Sequence, residues 1–121
     1  MIQEEIDMEN CLFCKIAAGQ IPSTKVYEDD QVLAFRDIAP QAPTHVLFIP
    51  KTPIATLNDL QPEHAELVGR LILAAAAHAK ELGLAEDGYR VVMNCNQLGG
   101  QTVYHIHLHL LAGRQLHWPP G

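Results

Sequence analysis

Histidines 105, 107 and 109 alternate with Ile106, Leu108 and Leu110 near the end of the chain, and that alternation dictates an extended strand with two unlike faces. In a strand the imidazoles share one side and the aliphatic side chains pack on the other, so VYHIHLHLLA is read as one strand. Directly before it, NQLGGQT carries adjacent glycines, whose missing side chains let backbone amides approach an anion such as a phosphate. Imidazole ionises near a pH of about 6.5 and serves near neutrality as nucleophile, proton donor or metal ligand. Periodicity does not choose among these. A tris-histidine metal site holding an activated water is one alternative, and a merely polar strand face is another.

The rest of the chain supplies neighbours for that strand. CLFCKIAAG reads as a short helix ended by Gly19 ahead of Ile21-Pro22. KVYEDDQVLAFRD places two β-rich runs around Glu28-Asp29-Asp30-Gln31, a hairpin with a polar turn, and IAPQAPT is a loop delivering His45 to the edge of the strand HVLFIP. From Pro62 to Leu82 the spacing predicts a long helix with Leu67, Leu71, Ile72 and Ala75 on its apolar face. YRVVMN reads as a further strand. Hairpins around one long and one short helix predict an α+β fold with an antiparallel sheet of about five strands. Residues 1–10 read as a flexible arm and 11–121 as a single domain, whose tail 112–121 cannot continue a central strand through its two prolines.

Composition narrows the function classes. The 121 residues are 48% apolar and 18% charged, the balance of one folded domain. A net charge of −6 leaves no cationic excess to follow a nucleic-acid backbone. No apolar run approaches the roughly 20 residues that span a bilayer, and the acidic start MIQEEIDMEN is unlike an export signal, so a cytoplasmic protein without membrane partners is expected. Three cysteines, an odd number, do not suggest a disulfide framework, and Cys95 is given no role. His64, His78 and His117 have none either.

The segment GGQTVYHIHLHLLAGRQLHWPPG resembles the histidine-triad family motif, and within it the Hint branch. The likeness runs on through FCKIAAGQIPS, YEDDQVLAFRDIAPQAPTHVLFIPK, the long helix, GYRVVMNCN and the closing WPPG. The resemblance implies hydrolysis of the P–N bond of adenosine or guanosine 5′-monophosphoramidates, with no cofactor required, through transient nucleotidylation of His107. It implies that His109 contacts the phosphate, that Gly100, Gln101 and Thr102 surround it, and that His105 and His45 support the nucleophile. Asp37 would take the ribose hydroxyls and Asn94 would contact the nucleotide near its phosphate. Ile38 and Phe35 would line an apolar slot for the purine, although composition alone suits Phe35 to the core nearly as well. Thr102 stands where the branch often has serine and keeps the hydroxyl thought to help the leaving amine.

The resemblance also implies a homodimer that hides the apolar faces of the long helix and of YRVVMN, with Trp118 reaching over the partner's leaving-group region. Cys11 and Cys14 have the spacing of half a tetrahedral zinc site, with His45 and His105 as the candidate remaining ligands. A zinc there would be structural. Plain burial of two thiols is the alternative, and a redox role lacks the thioredoxin-like setting. Two competing functions stay open: a metal-dependent hydrolase built on the three strand histidines, and a nucleotide-binding module without turnover.

Overall fold

A computed structural model describes residues 11–121; the arm expected at residues 1–10 lies outside the described residues. Helix α1, Leu12–Ala17, begins at Cys11, whose sulfur accepts the Cys14 N–H at 3.1 Å, and it stops before Gly19 at φ 77°. Strands β1, Lys25–Glu28, and β2, Val32–Arg36, follow as an antiparallel hairpin. Its turn is tied by Asp29, whose carboxylate accepts the N–H groups of Gln31 and Val32 at 2.8 Å each. Strand β3 is Thr44–Pro50, the long helix α2 is Ala65–Glu81, and strand β4 is Arg90–Val92. A single turn, α3 at Asn96–Gly99, precedes strand β5, Leu108–Ala112. The five strands form one antiparallel sheet in the order β1-β2-β3-β5-β4.

The alternation of β2 and β3 builds two cores, one on each face of the sheet. Val32, Ala34, Val46 and Phe48 point to α2 and meet Leu71, Ala75 and Ala79, together with Ile106, Leu108 and Leu110. Leu33, Phe35, Leu47 and Ile49 point the other way and meet Phe13 and Ile16 of α1. Because Leu47 pairs with His109 across β3 and β5, the histidine side of β5 lies on the α1 face. Burying aliphatic side chains on both faces, at about 25 cal/mol per Å², is what holds the sheet between its helices. Among the described residues no helix is long and apolar enough to cross a membrane.

Three expectations about the elements are corrected. The predicted strand VYHIHLHLLA starts only at Leu108, because Val103 to His105 bend to carry buried His105 beneath α1. NQLGGQT, which its glycines mark in the sequence as a loop, forms the turn α3, closed by Gly100 at φ 87°. Pro62–His64 forms a tight 3-10 turn ahead of α2, and Ile72, expected on the apolar face, is 48% exposed while Leu71 and Ala75 are fully buried.

Candidate active site

The bend before β5 puts the three histidines in different surroundings. His105 is fully buried; its Nε2 lies 2.7 Å from the Pro50 carbonyl, so that nitrogen carries the proton and donates, leaving Nδ1 with a bare lone pair. His107 sits one residue ahead of β5 with Nδ1 2.8 Å from the His105 carbonyl. Nδ1–H therefore donates, and Nε2 is left unprotonated. The ring of Phe13 meets the His107 ring edge-on, centroids 4.9 Å apart at 88°, and Phe13 in turn packs edge-on against Phe35.

His109 and His45 form a second unit. The backbone N–H of Gln41 donates to His45 Nδ1 at 3.0 Å, which forces the His45 proton onto Nε2. That Nε2 is 2.8 Å from His109 Nδ1, so His45 donates and His109 must carry its own proton on Nε2. Asp37 Oδ2 stands 3.4 Å from His45 Nε2, while Asp37 Oδ1 accepts the Ala39 N–H at 2.8 Å. The His107 and His109 rings are 4.9 Å apart, centroid to centroid.

Burial depresses all four imidazoles below their ordinary range. His109 is pushed to about 4, by burial first and then by the neighbouring His107 and His45 rings. The His105 carbonyl and Asp37 pull His107 partly back, and Asp37 does the same for His45. Near neutral pH the four rings are neutral, with a lone pair on His107 Nε2 and a proton on His109 Nε2. A lone pair beside a donor is the pairing that attack on a phosphoryl group requires.

Several expected site residues fall elsewhere. The N–H groups of Gly100 and Gln101 donate to Gln97 and Asn96 carbonyls at 3.0 Å each, so the amides expected to cradle a phosphate are already used. The buried Gln101 side chain is a strut: it accepts the Asn96 N–H and donates to the carbonyls of Ala55 and Val103. Thr102, exposed, has neither its N–H nor its hydroxyl engaged among the described residues. Asn94 lies half-buried between β4 and α3. Phe35 is core, and Ile38 is 98% exposed at the Asp37 turn. Trp118 is 83% exposed in a tail pinned by Arg90, which donates to the His117 carbonyl at 2.7 Å.

The cysteines bring one further correction and one agreement. Cys11 and Cys14 are joined as a disulfide, which an odd cysteine count did not suggest; as cap and third residue of α1 their Cα atoms come within 5.2 Å. Behind them His105 Nδ1 is 3.1 Å from the Cys14 sulfur and 3.9 Å from that of Cys11. As thiolates the two sulfurs and that nitrogen make a donor set suited to zinc, with the Pro50 carbonyl orienting the imidazole. His45, the fourth ligand expected from sequence, is not in this group; it sits with His109 and Asp37. Its Gln41 bond opposes metal binding there, since an imidazole ligated at Nε2 needs its proton on Nδ1. The three histidines of the strand form no metal-ligating group among the described residues.

Sequence reasoning missed Phe13, Gln41 and the strut role of Gln101. Phe13 had a signal, its position between two cysteines, whereas a backbone amide such as that of Gln41 leaves no trace in a sequence. Residues 18–116 match the HIT domain family. The chain is similar to the purine nucleoside phosphoramidase of Escherichia coli (strain K12), 57% identical over 108 residues covering 89% of this chain and 91% of that one. It is similar to a 14 kDa zinc-binding protein of Zea mays, 54% identical over 118 residues covering 96% of this chain and 91% of that one. Among solved structures, a HIT family hydrolase from Legionella pneumophila superposes with a TM-score of 0.91 at 61% identity, covering 93% of this chain and all of that one.

Proposed function

The chain belongs to the HIT domain family of nucleotide hydrolases, and from that premise we propose that it is a purine nucleoside phosphoramidase in which His107 is the nucleophile. The observation that carries the reading is the Nδ1–H bond of His107 to the His105 carbonyl, which leaves Nε2 free to attack. In the first step Nε2 attacks the α-phosphorus of an adenosine or guanosine 5′-monophosphoramidate and the P–N bond breaks. The amine leaves with a proton taken up from solvent, for which the unengaged Thr102 hydroxyl is the guide. In the second step water attacks the nucleotidyl-histidine, releasing the nucleoside monophosphate and the free imidazole. His109 Nε2–H meets the negative charge on the phosphoryl oxygens, and His45 fixes that proton from behind.

Asp37 and Asn94 serve the ribose and phosphate in this reading, and Ile38, fully exposed at the turn after β2, meets the base. Phe35 acts from beneath, through Phe13. The resemblance to a phosphoramidase supports the leaving group, and no cofactor enters the scheme. A zinc ion on Cys11, Cys14 and His105 fits the reduced chain, and a relative named for zinc binding supports it. Such an ion would tether α1 to the bend before β5, and metal analysis of protein prepared without chelator tests it.

We read residues 11–121 as one domain working as a homodimer. β4 is an edge strand with Val91 exposed, and Ile72 and Leu73 of α2 are exposed too. Trp118 then reaches the partner's site, and light scattering that returned a monomer would refute this part. Nothing in the charge or composition calls for a nucleic-acid partner.

The deciding experiment is hydrolysis of adenosine 5′-phosphoramidate by wild type and His107→Ala, with and without a strong chelator. Turnover that needs His107, survives the chelator and leaves a nucleotidylated protein on acid quench is the expected result. Turnover abolished by the chelator would favour a metal hydrolase; nucleotide binding without turnover in the wild type would favour a binding module.

A further inference from the structure

We propose that Arg114, in the tail just after β5, is a positioning residue for the His45–His109 pair and acts on it through the main chain of Gln41; this rests on the reading of His109 Nε2–H as the donor to the phosphoryl oxygens. Arg114 Nε and Nη2 both donate to the Gln41 carbonyl, at 3.1 and 3.0 Å, and Nη1 donates to the Gln115 carbonyl at 3.1 Å. Gln41 is thus held at its carbonyl by the tail, while its N–H holds His45 Nδ1 at 3.0 Å. From there His45 Nε2–H reaches His109 Nδ1 at 2.8 Å. His109 lies in β5, so the contacts leave β5, cross to the segment before β3 and return to the tail of β5 as a closed ring.

The make-up of that segment explains why Gln41 needs an outside hold. Residues 38–43 form no helix or strand, and Pro40 and Pro43 have no N–H with which to be tied down. The Ala39 N–H goes to Asp37 Oδ1 and the Gln41 side chain goes to the Ala39 carbonyl, both of them ties within the loop itself. Gln41 is exposed, so water would serve its carbonyl as a bonding partner. What water lacks is direction: two N–H groups of one planar guanidinium, converging on one oxygen, fix how that peptide is turned. Gly113 passes so close to Pro43 that an added Cβ would meet Pro43 Cβ at 2.8 Å, and this approach brings Arg114 over the loop.

The hold matters because His45 has two acceptors within reach. Asp37 Oδ2 is 3.4 Å from His45 Nε2, against 2.8 Å for His109 Nδ1. With the Gln41 N–H on its far nitrogen, the ring is fixed with its own N–H aimed at His109. Released from Gln41, the ring turns that N–H toward the Asp37 carboxylate, and His109 Nδ1 loses its donor. His109 is then free to carry its proton on Nδ1, which takes the donor away from the phosphoryl side. Arg114 in this way supports turnover without touching substrate.

The test compares full-length wild type with Arg114→Met, which keeps the stem and removes the donors, and Arg114→Lys, which restores one charged donor without the fork. Nitrogen-15 spectra of the imidazoles report which nitrogen of His109 carries the proton, and hydrolysis of adenosine 5′-phosphoramidate reports turnover. In the wild type the His109 proton should sit on Nε2. In Arg114→Met it should be divided between the two nitrogens, with kcat lower by about tenfold and KM changed by less than about twofold. Arg114→Lys should lie between the two. Arg90→Met, which frees the other tie of the tail, at His117, should leave the His109 signals in place. In a His45→Phe background Arg114→Met should cost less than about twofold more in kcat, because no His45 proton is left to aim. An unchanged His109 proton in Arg114→Met would overturn the proposal, as would a further loss of about tenfold in the His45→Phe background or an equal displacement of the signals by Arg90→Met. Should Arg114→Met fail to fold, Arg114→Lys decides by the same signals. Absence of turnover in the wild type would refute the phosphoramidase reading alone, since the His109 proton is read without substrate.

Discussion

His45 Nε2 sits 2.8 Å from His109 Nδ1, and because the Gln41 amide occupies the other side of the His45 ring, the proton between them belongs to His45. In the proposed mechanism His45 is a positioning residue. Replacing it with phenylalanine should lower kcat by about 10- to 100-fold with little change in KM. His45→Gln, which keeps an N–H donor near the same place, should recover part of that loss. Equal kcat for the two variants would show that the donor is immaterial.

Depression of His109 sets a pH window for stability. Between its ordinary value near 6.5 and its folded value of about 4, the unfolded chain binds a proton that native His109 does not. Stability from this group is complete above about 6.5 and is lost as pH falls toward 4. Urea denaturation from pH 7 to 4 should show this decline, and His109→Asn should flatten it. The acid limb of kcat should likewise lie below 6.5, and a limb at or above that value would contradict a neutral His45–His109 pair.

Gln101→Ala should destabilise the protein by about 2–4 kcal/mol, since it strips partners from the Asn96 N–H and the Ala55 and Val103 carbonyls at a buried position. Gln101→Glu keeps the acceptor and loses both donors, so it should not restore stability. A change below about 0.5 kcal/mol in urea titrations would mean the strut is dispensable.

Gly113 and Gly88 make a matched pair. Both have positive φ, 97° and 100°, but a Cβ on Gly113 would come within 2.8 Å of Pro43 Cβ, while one on Gly88 meets nothing within 4 Å. Gly113→Ala should cost about 1–3 kcal/mol more than Gly88→Ala, and the difference isolates the steric clash from backbone strain. Equal melting temperatures would show that Pro43 gives way.

Much of the fold was legible because alternation and punctuation are local signals. The β1-β2 hairpin, the strand HVLFIP and the long helix follow from side-chain periods and from Pro and Gly positions, and the structure carries all three. The histidine face was legible too, but not that the strand begins at Leu108. Burial of His105 beneath α1 bends the chain there, and burial against a distant helix is a tertiary effect that periodicity does not encode. The same limit hid the ring-nitrogen assignments. Sequence names His45 and His105 as equal candidates for a metal, whereas both carry the proton on Nε2 and differ in what faces the bare Nδ1, the Gln41 amide in His45 and the two sulfurs in His105. Ile72 was misplaced because helical period fixes a stripe and not its edge.

The strand order has a consequence for synthesis. β5 leaves the ribosome after β1 to β4, yet it lies between β3 and β4, and among the described residues β4 pairs with no other strand. Until β5 emerges, the paired strands are β1, β2 and β3. The contact from Cys14 to His105 spans 91 residues and closes only then. Loop-closure entropy of that kind is met late in folding. A nascent chain still short of β5, or one clipped before it, therefore does not hold His105, His107 and His109 in the places described above.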